Sequence, residues 1–186
     1  MKHTIVSLLA APVLLASAAH ATEYTQVQPD KSAIAFAYQQ MGVKMDGKFR
    51  KFNAQLRFDP AKAAAAKASF EVDLLSVDLD SGEAEQEVAD KAWFNSKAFP
   101  TARFVSTAVK PLGGNRYEVA GQLSIKGKAR DIVVPATFAE QGKTAVFSGS
   151  FALRRADYAI GEGTWSKFDV VANDVVVNFR ITAAAN

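Results

Sequence analysis

The chain has 186 residues, with 22 Lys and Arg against 19 Asp and Glu, two histidines and no cysteine. A formal charge of +3 without a concentrated basic stripe gives no footprint for a nucleic-acid partner. Thiol chemistry is excluded outright, and only His3 and His20 stand behind any histidine-based catalysis or zinc and copper binding.

Both histidines lie in the first 21 residues. Met1-Lys2-His3, an apolar run from Ile5 and Ala19-His20-Ala21 together predict a secretory signal peptide cut after Ala21. The run is too short for a stable membrane anchor, and no cysteine follows it for lipid attachment. The mature chain is expected to be 22–186, one domain in the periplasm, stabilised by its core because it has no disulfides.

Tyr24–Gln28 reads as a short opening strand, turned by Pro29-Asp30. From Ser32, Ile34, Phe36 and Tyr38 alternate with Ala33, Ala35 and Ala37, a strand with one heavy face and one light face. After Met41-Gly42 the heavy positions are odd (Val43, Met45, Gly47, Phe49), then even (Phe52, Ala54, Leu56, Phe58). A parity change needs an extra residue, so a bulge or bend is predicted between Phe49 and Phe52. Bends of this kind let a sheet curl on itself.

Asp59-Pro60 is a helix-start signal leading into an alanine-rich connection expected on the surface. Phe70, Val72 and Leu74 alternate with Glu71 and Asp73 as a strand with one wet face. Ser81 is placed to cap a helix through Glu83–Glu87, with acids in its first turn. Trp93, Phe94 and Phe99-Pro100 close this insert. Between Glu71 and Asp90 stand eight acids and no base, an acidic patch on a basic body. Asp78-x-Asp80-Ser81-Gly82 lacks both the glycine position and the final glutamate of a calcium loop, so no metal site is expected.

From Thr101 strands recur at short spacing. Their heavy faces are Ala102, Phe104 and Ser106; Tyr117, Val119, Gly121, Leu123 and Ile125; Ile132, Val134, Ala136 and Phe138; Ala145, Phe147, Gly149, Phe151 and Leu153; and Val175, Val177, Phe179 and Ile181. Pro135 requires an edge or a broken ladder. The pattern is all-β and antiparallel, either a barrel or a two-sheet sandwich, with the bent strand favouring the barrel. Most of the thirteen phenylalanines face inward, where a small barrel either packs them or leaves room for a ligand. Glu83, Glu85, Glu87 and Glu162 are the carboxylates a glycosidase reading would use. Nothing in the spacing sets two of them across a cleft, and no catalytic residue is assigned.

Several motifs in order carry a family likeness: Ser32-x-Ile-x-Phe-x-Tyr, Met41-Gly42-Val43, Gly47-x-Phe49-x-x-Phe52 and Leu75-Ser76-Val77-Asp78. Ala92-Trp93-Phe94-Asn95, Phe99-Pro100-x-Ala102-x-Phe104-x-Ser106, Gly121-x-Leu123-x-Ile125-x-Gly127 and Ile132-x-Val134-Pro135 complete them. The mature chain resembles the YceI-like family of exported polyisoprenoid-binding proteins. The resemblance implies an extended, eight-stranded antiparallel lipocalin-like β-barrel with a short helical insert. It implies a channel for a long-chain isoprenoid lipid or quinone-type amphiphile, no required cofactor, no enzymatic role, and a membrane redox protein as a partner. The chain departs from the common pattern where Lys31, Gln40 and Ala84–Glu87 replace the family's histidine-bearing positions, which leaves no imidazole for a head group.

The expected ligand-facing set is Phe36, Tyr38, Met41, Met45, Phe49, Trp93, Phe94, Phe104, Leu123, Phe138, Phe147 and Trp165. A polar head is expected near Tyr38, Lys31 or Lys44. The alternatives are a ligand-free periplasmic interaction or stress-response protein using the acidic 71–90 segment and, after it, an enzyme on a hydrophobic substrate.

Overall fold

The computed structural model describes residues 22–186; the predicted signal peptide, 1–21, lies outside the described residues. Eleven strands form one antiparallel sheet: β1 Tyr24–Val27, β2 Ala33–Gln40, β3 Val43–Phe49, β4 Phe52–Arg57, β5 Lys67–Asp73, β6 Val77–Asp78, β7 Thr101–Gly113, β8 Arg116–Ile125, β9 Lys128–Gln141, β10 Thr144–Arg154 and β11 Asp174–Ala185. The helix α1, Gly82–Ala89, is capped by the Ser81 side chain accepting from Ala84 N–H, as its sequence predicts.

The strand order is β4-β5-β7-β8-β9-β10-β11-β2-β3-β6, with β1 paired to β11. Two pairs of short strands act as single broken staves. β3 and β4 are one stretch of chain interrupted at Arg50-Lys51, where the predicted parity change falls. β1 and β2 both pair with β11, at successive heights. Tyr24 also exchanges both backbone hydrogen bonds with Phe58 (2.8 and 3.1 Å), so β1 joins β11 to the end of β4. With the two-residue β6, beside β3, likewise taken as the continuation of β5, beside β4, the curled sheet has eight staves, the number the family resemblance implies.

The break at Arg50-Lys51 is tied by hydrogen bonds to the segment after β5. Arg50 N–H donates to Ser76 O (2.9 Å), and Lys51 O accepts from Asp73 N–H (3.1 Å). The segment after β5 is thus drawn in beside β3, and β6 pairs there through Phe49 and Val77. Leu74 and Val77 are buried beneath it.

Pro135 lies where expected. β9 pairs with β8 along its length, Glu118 facing Pro135, but its ladder to β10 stops at Thr137. A second bulge, between Ser106 and Ala108 in β7, was not read from the sequence. It moves the inward set from even numbers to Val109. The alanine-rich connection is a 3₁₀ segment, Pro60–Ala65, started by Asp59 accepting from Ala61 N–H. It is less superficial than expected, because Ala63 and Ala66 are buried in the core at that end.

Candidate functional site

Inside the staves lies a cavity of about 630 Å³, within the roughly 300–1,000 Å³ typical of small-molecule sites. Its wall is built by period two: Ile34, Phe36 and Tyr38 from β2, Leu123 and Ile125 from β8, and Val175, Val177, Phe179 and Ile181 from β11, with like sets from the other staves. The inward rings of Phe36, Phe70, Phe104, Phe151 and Phe179 are only half-buried although they point away from bulk water. Their free surface is the cavity itself. Side chains therefore do not fill this barrel.

Glycines keep the rings against the wall. A Cβ on Gly121 would lie 2.5 Å from the Phe104 ring, and one on Gly149 would lie 2.6 Å from that of Phe179. Gly47 stands in the same relation to Phe36. Each missing side chain leaves a shallow bed in which a neighbouring phenyl lies flat, so aromatic bulk lines the cavity without crossing it.

One end is sealed by stacked rings. Phe58 meets Tyr117 edge-on (5.3 Å, 89°), Phe147 edge-on (5.0 Å, 80°) and Phe138 at 5.0 Å. Tyr24 closes over Phe138 at 5.6 Å. Edge-on contacts at such spacings add to the gain from burial alone.

The other end is held by cations and carbonyls. Arg155, 2% exposed, donates to six backbone oxygens: Ala172 (3.0 Å), Ile160 (2.9 Å), Gly161 (3.1 Å), Trp165 (2.8 Å), Lys167 (3.3 Å) and Val171 (2.8 Å). Its guanidinium also lies over the rings of Trp93 and Phe168, 5.3 and 5.0 Å from their centroids. Burial lowers its pKa from the ordinary arginine value, the expected sign for a cation taken from water. The fork of donors satisfies carbonyls that a loop folded over a barrel end otherwise leaves unpaired.

Lys126, also buried, donates to Ala159 O and Glu162 Oε2, both at 2.7 Å. The Lys126 hydrogen bond holds the Glu162 carboxyl below the usual range. Trp165 Nε1–H donates to Glu87 Oε1 at 2.9 Å, which fastens the 155–172 loop to α1. Ser81, Glu83, Glu87 and Gln40 border the cavity here and are exposed, so this end is the mouth.

Of the twelve expected ligand-facing residues, nine line the cavity: Phe36, Tyr38, Phe49, Trp93, Phe94, Phe104, Leu123, Phe147 and Trp165. Three do not. Met41 sits at φ +51 in the turn after β2 and is 75% exposed. Met45 pairs across from Tyr38 but stands beyond the wall's end, exposed. Phe138 faces inward yet lies beneath the floor, in the ring stack. Lys31 and Lys44 do not line the cavity either, whereas Tyr38 does. Phe70, Phe151 and Phe179, outside the expected set, also belong to the wall, in keeping with the alternation of their strands. Arg155 had no local signal at all.

The acidic 71–90 segment is largely spent within the molecule. Asp78, buried, meets Arg50 at 3.0 Å and Lys48 at 3.3 Å, and its pKa is lowered chiefly by the Arg50 hydrogen bond. Glu71 pairs with Arg103 at 3.3 Å, Asp73 accepts from Leu75 N–H, and Glu85 accepts from Leu79 N–H. The chemistry the cavity offers is chiefly burial of hydrocarbon, with the Tyr38 and Tyr117 hydroxyls among its aromatic wall and Gln40, Lys67, Ser81, Glu83, Glu87 and Arg103 as exposed polar groups along its border.

A model of the YceI-like domain matches residues 25–183. The structure is similar to the crystal structure of Burkholderia cenocepacia BcnA, 42% identical, with a TM-score of 0.84 over 86% of this chain and all of that one. It also shares its fold with a polyisoprenoid binding domain from Saccharophagus degradans implicated in plant cell wall breakdown: 16% identity, TM-score 0.70, 88% of this chain and 98% of that one. Among curated relatives, a UPF0312 protein of Shewanella denitrificans is 29% identical over 86% of this chain and 87% of its own. By its match to the family model over residues 25–183 and by its fold, the chain belongs to the YceI-like domain family.

Proposed function

We propose that the protein is an exported carrier that holds a long-chain apolar lipid, an isoprenoid or a quinone-type amphiphile, inside the barrel. The observation that carries this reading is the unfilled interior: a cavity of about 630 Å³ whose aromatic wall keeps its free surface inside the protein. The name of the Saccharophagus degradans domain supports the isoprenoid class. Burial is worth about 0.8 kcal/mol per CH₂, so each five-carbon unit contributes a few kcal/mol before the cost of ordering a flexible chain. A ligand of this kind needs few polar contacts, in keeping with a lining that carries no imidazole. Binding, not catalysis, is what the family and the apolar interior support. For a quinone-type cargo the natural partner class is a membrane redox protein.

The test is organic extraction and mass spectrometry of protein purified from the periplasm without detergent. The expected result is a co-purifying prenyl lipid or quinone at near-stoichiometric yield. A protein that arrives empty and takes up no prenyl alcohol in titration would refute the reading.

A further inference from the structure

Several exposed apolar residues near the mouth gather at one tip. Met41 (75% exposed) and Val43 (60%) crown the turn between β2 and β3, and Phe168 (48%) crowns the neighbouring loop, with exposed Met45 and Val170 beside them. Met41 N–H donates to Val170 O at 2.7 Å and Ala172 N–H to Gln39 O at 3.0 Å, and Gln40 bridges to Val171. Turn and loop are therefore one continuous, backbone-bonded tip. Met41 and Val43 belong to neither buried cluster, and the Phe168 ring, though it meets the Arg155 guanidinium, still leaves nearly half its surface open; contiguous exposed apolar groups of this kind mark interaction sites.

We infer that this tip docks the protein on a phospholipid bilayer, with the Met41–Val43 turn and Phe168 entering the interface. The inference rests on the proposed apolar cargo, which has to be taken from or given to a membrane. Position points the same way: Gln40, Tyr38 and Val171, next to the tip in the chain, line the cavity, so docking sets the mouth against the lipid. The flanking charge suits an interface too. Lys44 and Lys167 are exposed and make no ion pair among the described residues, and long ammonium stems reach back to phosphate while their methylenes stay in the apolar layer. Asp46 is also exposed there, and Asp169 accepts from Val170 N–H at 3.0 Å. The charges nearly balance, so apolar insertion supplies most of the affinity and anionic lipid a smaller share.

The experiment is flotation of the full mature protein with vesicles of phosphatidylethanolamine and phosphatidylglycerol, comparing native protein with Met41→Asp/Val43→Asp. Neither residue lines the cavity, and aspartate tolerates the left-handed backbone at position 41, so folding is expected to persist. Uptake of an apolar fluorophore, N-phenylnaphthylamine, in vesicle-free buffer reports the cavity separately. The inference expects native protein to float, the double variant to bind vesicles about tenfold or more weakly, fluorophore uptake to be unchanged, and flotation to survive high salt. Native protein that does not float, equal flotation of the variant, or a native dimer that the variant abolishes would overturn docking while leaving the carrier reading intact. Loss of fluorophore uptake in the native protein would count against the carrier reading instead.

Discussion

The two ends of the barrel are closed by opposite chemistry. At the floor, Tyr24, Phe58, Tyr117, Phe138 and Phe147 form one stack of rings, joined to the sheet by the β1 bridge. At the mouth, Arg155 and Lys126 thread the 155–172 loop with hydrogen bonds to carbonyls, and one indole N–H ties it to α1. Ring packing has many small contacts and one good arrangement, so it opens only when the domain unfolds. A hydrogen-bonded loop can exchange its partners for water and open locally. On the proposed carrier reading, the floor is the end that stays shut and the mouth the end that opens.

The largest expected effect breaks the floor. Phe58 touches three other rings of the stack and is buried, so Phe58→Ala should cost about 3–5 kcal/mol. Denaturant melts should show it as one cooperative loss. If instead the variant kept its stability and only leaked ligand, the floor would be a second door.

Arg155→Met comes next. Methionine replaces much of the apolar stem but strands carbonyls that each cost about 1–3 kcal/mol when buried without a donor. Because those carbonyls lie at one end, amide exchange should rise across 156–172 while β7 to β10 stay protected. A uniform loss of protection would mean that mouth and floor form one cooperative unit, and the contrast drawn above would fail.

These two closures were unequally legible in the chain. The floor residues lie on strands, and alternation had already turned Phe58, Tyr117, Phe138 and Phe147 inward. What alternation lacks is height. Met45 and Phe138 share an inward face with wall residues, yet one stands above the cavity and the other beneath it, because the stagger of the staves is set by long-range pairing. The mouth was hidden for a different reason. Arg155 follows Arg154 at a strand end and reads as a surface cation. Its burial depends on carbonyls that arrive from 160–172 only once that loop has folded back, and no periodicity records where a loop returns.

The smallest effect is one of pH, and it should touch the mouth alone. Glu162 is held below the usual carboxylate range by Lys126, so the folded state binds its proton less tightly than the unfolded chain does. Its contribution is complete above the unfolded pKa and is lost as pH falls through the lower, folded one. Glu162 is more than half exposed, so solvent screens the pair and the loss should be small. Falling through that acid range, ligand release should quicken before the barrel unfolds. Glu162→Gln should show the faster release already at neutral pH and no further acceleration on acidification. If acid instead quickened release equally in both proteins, Glu162 would not be the group at work. Asp78, whose pKa is also depressed and which pins the segment between β5 and α1 to β3, would then be the carboxylate to replace, because its loss would loosen the wall beside the mouth and not the loop across it.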